Sequence, residues 1–209
     1  EKALAGNEYE SAFRLYGDIL AQGASGDVAA WALMRRGFIN LERKDYFKAV
    51  GELKGVPRRA EGDRIYAEAQ YLLARAYAEL KMYGAAEGIV RRLEKEAQGT
   101  ERTAEMEMLL GDILAGEGRY LGAVASYMSV IEGDAAPELR MQAREKAQEI
   151  IARSLPVEQI EKLGEVYANR ALYPSILCAL VSSYEKKKNN ARTDYYRGVL
   201  HARYPDHRC

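Results

Sequence analysis

Histidine is nearly absent from this chain: only His201 and His207, both near the carboxyl end, occur in 209 residues. So few imidazoles leave no plausible triad or general base, and none of the patterns GxxxxGKS/T, HExxH, GxSxG or GxGxxG occurs. The carboxylates stand beside Lys or Arg, as in Glu42/Arg43 and Glu94/Lys95, which is the pattern of solvated helix surface. The expectation is a protein that is not an enzyme and takes no cofactor and no metal. Cysteine is as scarce. Cys178 lies in an apolar helical run and reads as a small buried hydrophobe. Cys209 is the last residue, and the two make no disulfide framework. A terminal Cys beside His201 and His207 is a poor cage for the geometry that zinc demands. Net charge is also missing, because 31 Lys and Arg balance 31 Asp and Glu. No global field recruits nucleic acid or an anionic membrane. No apolar run reaches the length that crosses a bilayer, and EKALAGNEYE lacks the basic, apolar and small-residue order of a secretory signal. Membrane attachment is therefore expected only through a lipid anchor outside this chain.

What the sequence does have is an interval. Tyr followed three residues later by Ala occurs at Tyr9/Ala12, Tyr46/Ala49, Tyr83/Ala86 and Tyr120/Ala123, and each step is 37 residues. Twelve residues before the last three of these alanines stand Gly37, Ala74 and Gly111. Four residues after all four stand Tyr16, Leu53, Val90 and Tyr127. Small and then bulky recurs at fixed offsets. Leu72, Leu73, Ala76, Tyr77 and Leu80 form one helical stripe, and Ala85, Ala86, Ile89, Val90 and Leu93 form another, so each unit is expected to hold two helices. Two antiparallel helices approach closely only where a residue without bulk lies at the crossing and a large side chain fills the space beside it.

This phased set resembles the tetratricopeptide repeat. The matching residues are Leu73-Ala74 with Tyr77, Leu110-Gly111 with Leu114, and Ala86 and Ala123 on the second helices. The interval is longer than the family's usual one, and the surplus is expected in the loops GVPRRAEGDR, EKEAQGTER and EGDAAPEL. What the resemblance implies is an all-α fold, a right-handed α-solenoid of stacked antiparallel helix hairpins in one domain over 1–209. It comprises a half hairpin at 1–24 and hairpins at about 27–56, 64–98, 102–133, 138–171 and 174–205. The fourth is degenerate, with Pro156 at the start of its second helix. The last keeps Val181, Tyr184, Thr193 and Pro205 where the family has a small residue, Tyr, Ala and Pro. A half hairpin at the amino end is expected to leave an open apolar edge, through which the chain could form a homo-oligomer, and suggests a fragment of a longer chain.

In the resembling family the first helices line a groove. Carried over position by position, the groove is Trp31, Met34 and Phe38, then Glu68, Tyr71 and Arg75, then Glu105, Met108 and Asp112. The set is aromatic and Met-rich, the composition of surfaces that anchor a protein or peptide. Tyrosine outnumbers phenylalanine 15 to 3, and its hydroxyls are expected to reach solvent or loop carbonyls from the large side of each crossing. The carboxyl-terminal phrasing, LHARYPDH and PVEQIEKLGEVYANRALYP, is similar to helical regions of bacterial envelope lipoproteins. These are of the penicillin-binding-protein activator type or the outer-membrane assembly and division coordinator type. The resemblance implies a protein-protein interaction scaffold in the periplasm or at the outer membrane. The alternatives are a regulatory or sensor module docking an attached ligand-binding or enzymatic domain, and a cytoplasmic location.

Overall fold

The computed structural model describes residues 2–58, 64–96 and 103–209, with side chains from residue 8 onward. Among the described residues every regular element is a helix. They group into two compact units, residues 1–100 and 101–209. The first holds α1 (Lys2–Ala21), α2 (Gly26–Glu42), α3 (Tyr46–Lys54), α4 (Arg64–Glu79) and α5 (Tyr83–Glu96). The second holds α6 (Thr103–Gly116), α7 (Tyr120–Glu132), α8 (Pro137–Arg153), α9 (Val157–Val166), α10 (Tyr173–Lys186) and α11 (Asn190–Arg203).

Helices pair in chain order. In the first unit α2 packs on α3 and α4 on α5, while α2 and α4 also lie side by side. In the second, α6 packs on α7 and α10 on α11, and the first helices α6, α8 and α10 touch in succession. The segment that departs from the repeat behaves differently. There α8 packs mainly on α7, and the short α9 mainly on α10. At the amino end α1 runs unbroken through Tyr9 and Ala12 and packs on α2.

The crossing inside each pair is built as the offsets imply. A Cβ at Gly37 would overlap the side chain of Leu53, and one at Gly111 would overlap the ring of Tyr127. At the same register stand Ala74 and Val90, both fully buried. Ala49, Ala86 and Ala123 are likewise without exposure. Where the first helix gives up all bulk, the second supplies a longer side chain, so the space stays filled.

The turns repeat as closely. Lys44, Lys81 and Gly118 adopt left-handed φ of 63°, 58° and 76°, at the same 37-residue spacing. One residue later, the amides of Asp45, Met82 and Arg119 donate to the carbonyls of Asn40, Tyr77 and Leu114 at 2.8 Å each. This is the Schellman closure of a helix end, and it ties down carbonyls that the helix leaves unpaired. Lys188 repeats the device between α10 and α11, with the Asn189 amide on the Tyr184 carbonyl at 3.0 Å. The loop surplus expected in GVPRRAEGDR and EKEAQGTER falls in large part on residues 59–63 and 97–102, outside the described residues.

The cysteines correct the sequence expectation. Cys178, on α10, is half-buried and bonded to Cys209, with Cα atoms 5.3 Å apart. After α11 the chain turns back toward α10, and Tyr204 meets Tyr173 edge to face at 6.2 Å. That return brings together two thiols 31 residues apart in sequence. Cys178 is thus a tether for the carboxyl-terminal segment, and the Cys209 sulfur is no ligand beside His201 and His207.

Candidate functional site

The groove positions of the first unit lie on α2 and α4. Trp31, Met34 and Phe38 are spaced three and four apart, so they share one face of α2. Tyr9 and Tyr16 of α1, seven apart, meet that face. Tyr16 stands edge-on to Trp31 at 5.1 Å, and Tyr9 edge-on to Phe38 at 6.5 Å. The Arg35 guanidinium lies over both rings of α2, 5.8 Å from Trp31 and 5.4 Å from Phe38. The result is an aromatic shelf of four rings, with one cation over the two that belong to α2.

Within this shelf the residues divide by exposure. Met34 is buried and Phe38 half-buried, while Trp31 keeps 43% of its surface exposed. Leu15 of α1 and Val28 of α2 are also exposed at this end of the unit. On α4, Glu68 and Tyr71 are half-buried and engaged in contacts of their own. Arg75 reaches across to Glu42 of α2 at 3.9 Å, fastening the two first helices together.

In the second unit Glu105 is exposed, Met108 is buried, and Asp112 is occupied by its own chain. Tyr127 of α7 donates its hydroxyl to Asp112 at 2.7 Å, and Lys146 of α8 donates to both carboxylate oxygens at 2.6 and 2.8 Å. Burial beside that carboxylate pushes the Tyr127 hydroxyl far above its ordinary value of 10.

A second polar node went unread in the sequence. Glu161 of α9 accepts from the Tyr184 and Tyr196 hydroxyls, both at 2.8 Å, and from Arg192 at 3.2 Å. The two tyrosine rings stack at 5.8 Å. The Tyr184 hydrogen bond leads the causes that hold Glu161 below the usual carboxylate range, and burial with the same carboxylate pushes Tyr196 up to about 12. At Tyr127, Tyr184 and Tyr196 the hydroxyl therefore reaches a carboxylate rather than the solvent or loop carbonyl expected from the sequence. A net charge of zero hides such pairs. They show only once α9, α10 and α11 are assembled.

A third feature lies on the far side of α2. A cavity of about 470 Å³ opens between α1, α2 and α3, lined by Phe13, Arg36, Asn40, Arg43, Asp45 and Lys48, and closed by Gly51 and Glu52.

None of these places gathers catalytic chemistry, and among the described residues no cluster of His, Cys, Asp and Glu could hold a metal ion. No helix of the described residues is long and apolar enough to cross a membrane. No protein-family model matches the chain, and no curated protein matches it. Among solved structures it is similar to the C-terminal part of a TPR repeat-containing protein from Cytophaga hutchinsonii. Identity is 16% and the TM-score 0.35, over 98% of this chain and 93% of that one. In their own geometry, the paired helices with a small-to-bulky crossing at a fixed interval are tetratricopeptide-like.

Proposed function

We propose that this chain is a non-catalytic scaffold that holds a protein or peptide against the face shared by α2 and α4, and that it works in the bacterial cell envelope. The observation that carries the first half is Trp31. A tryptophan propped edge-on by Tyr16, flanked by Arg35 and still 43% exposed, is a rigid anchor of the kind that dominates interface energies. The exposed Val28, three residues before Trp31 on α2, lies on the same side of that helix. Arg75 and Glu42, each partly exposed, supply a polar rim.

The Cys178–Cys209 bond supports the second half, because structural disulfides persist where the medium is oxidising, as in the periplasm. Alkylation of intact cells with a thiol reagent tests this. Both cysteines should resist labelling until reductant is added. Ready labelling without reductant places the chain in the cytoplasm and overturns the envelope reading.

For the groove, Trp31→Ala combined with Tyr71→Ala should cut partner recovery from envelope extract at least tenfold while helicity stays unchanged. Equal recovery by both versions removes α2 and α4 as the binding face. The reading of a regulatory module that docks an attached domain finds support in Asp112, which Lys146 and Tyr127 already occupy within the second unit.

A further inference from the structure

The cavity between α1, α2 and α3 sits where the first hairpin departs from its own repeat. One interval on from Arg36 stands Leu73, and two intervals on Leu110, both buried. One interval on from Asn40 stands Tyr77, and two intervals on Leu114. Glu52 corresponds to Ile89. Positions that are mostly large and apolar in the neighbouring hairpins are therefore Arg, Asn and Glu in this one, and the space they fail to fill is the cavity.

Polar groups at core positions destabilise unless they are paired. Asn40 is 2% exposed, and its side-chain Nδ2 has no hydrogen-bond partner among the described residues. Leaving such a donor unmet is unfavourable, because its lost hydration is not replaced. Around it Arg36 stacks on Phe13 at 4.3 Å and Arg43 on the same ring at 5.2 Å, while Lys48 stands at the mouth. Glu52 holds Arg36 at 2.7 Å, Asp45 holds Lys48 at 3.1 Å, and Glu10 reaches Arg43 at 2.7 Å from the rim. Each of the three cations lining the cavity thus has an acidic partner, and the partner of Arg43 is the one that lies outside the lining, on the partly exposed Glu10. At about 100° per residue, Arg36, Asn40 and Arg43 fall on the side of α2 opposite Trp31, Met34 and Phe38. The cavity is thus separate from the groove.

We infer that this cavity binds a carboxylate-bearing ligand, with one carboxylate oxygen accepting from Asn40 Nδ2 and the other taking the place of Glu10 on Arg43. The volume admits a group the size of an amino-acid residue, whose apolar part lies against Phe13. A free small acid and an acidic side chain of a peptide offer the same chemistry.

Titration of the full chain with glutamate, with acetyl-Gly-Glu-Gly-amide, and with acetyl-Gly-Gln-Gly-amide, which carries no carboxylate, tests the inference, read from the Asn40 side-chain amide signals in nitrogen-15 NMR. Saturable shifts with glutamate or the acidic peptide, absent with the glutamine peptide and with chloride at matched ionic strength, are expected. The tighter of the two identifies the source. Asn40→Asp, close to isosteric but without the donor, should weaken binding at least tenfold. Arg43→Gln, at a partly exposed side chain, should do the same with the fold intact. No saturable response up to about 10 mM, a range in which even millimolar affinity would be seen, overturns the site. So does equal binding of the glutamine peptide, or undiminished binding by Arg43→Gln.

Discussion

Lys44, Lys81 and Gly118 fill the same left-handed turn position, yet only one of them is glycine. A side chain in that conformation crowds the following carbonyl, whereas glycine adopts it without strain. Lys44→Gly and Lys81→Gly should each stabilise the first unit by about 1 kcal/mol, and Gly118→Ala should destabilise the second by a similar amount, read from urea midpoints. The turns were only partly legible in the sequence for this reason. Gly announces the break at Gly118, but the lysines give no such sign. Titrating side chains add a second expectation. Tyr127 has its folded value raised above 10, so its stabilising effect is complete below pH 10 and is lost as pH rises beyond it. Glu161 has its folded value lowered, so its effect is complete above the usual carboxylate range and is lost as pH falls through the folded value. Tyr127→Phe should therefore flatten the alkaline limb of stability against pH, and Glu161→Gln the acid limb, when urea midpoints are followed from pH 3 to 11. Steeper limbs in either variant contradict these assignments.

The unit of construction is the helix pair, and its three best examples solve one packing problem in two ways. Gly37 with Leu53 and Gly111 with Tyr127 put all the bulk on the second helix, whereas Ala74 with Val90 divides it. Gly37→Ala or Gly111→Ala should overfill the crossing and cost about 1 to 3 kcal/mol. Adding Leu53→Val to Gly37→Ala recreates the Ala74 and Val90 pair. The double variant should lie closer to wild type than the sum of the singles, with a coupling of about 1 kcal/mol measured in a double-mutant cycle. Strict additivity would mean that the two residues do not share the crossing. This part of the fold was legible because an interval of 37 with a small residue and then a bulky one is a statement about a contact, made three times. The pairing of α8 with α7 and of α9 with α10 was not, since no interval runs through residues 137–172. The cavity at Asn40 was legible in principle: an Asn in register with Tyr77 and Leu114 signals a hole in the packing.

Across the whole molecule, the disulfide is where the sequence misled most. Two cysteines 31 residues apart, one of them terminal, carry no spacing signal. Only the return of the chain after α11 brings their Cα atoms to 5.3 Å. The exposed groove could not be weighed from the sequence either, because Trp31 and Met34 read alike as apolar, and α1 decides which of them stays open. Closing a loop of that length restricts the unfolded chain, and opening it should cost the second unit about 3 kcal/mol. The distribution of chromophores makes the effect separable. The single tryptophan, Trp31, lies in the first unit, and the bond lies wholly in the second. With reductant, or in Cys209→Ser, the helical signal in far-ultraviolet circular dichroism should lose its upper unfolding limb. Trp31 fluorescence should keep its midpoint, if each unit is held by its own contacts. A tryptophan midpoint that moves with the disulfide would mean that the two units do not unfold independently. In that case a partner seated against α2 and α4 would in turn protect the Cys178–Cys209 bond from reduction, because coupling between two sites is reciprocal.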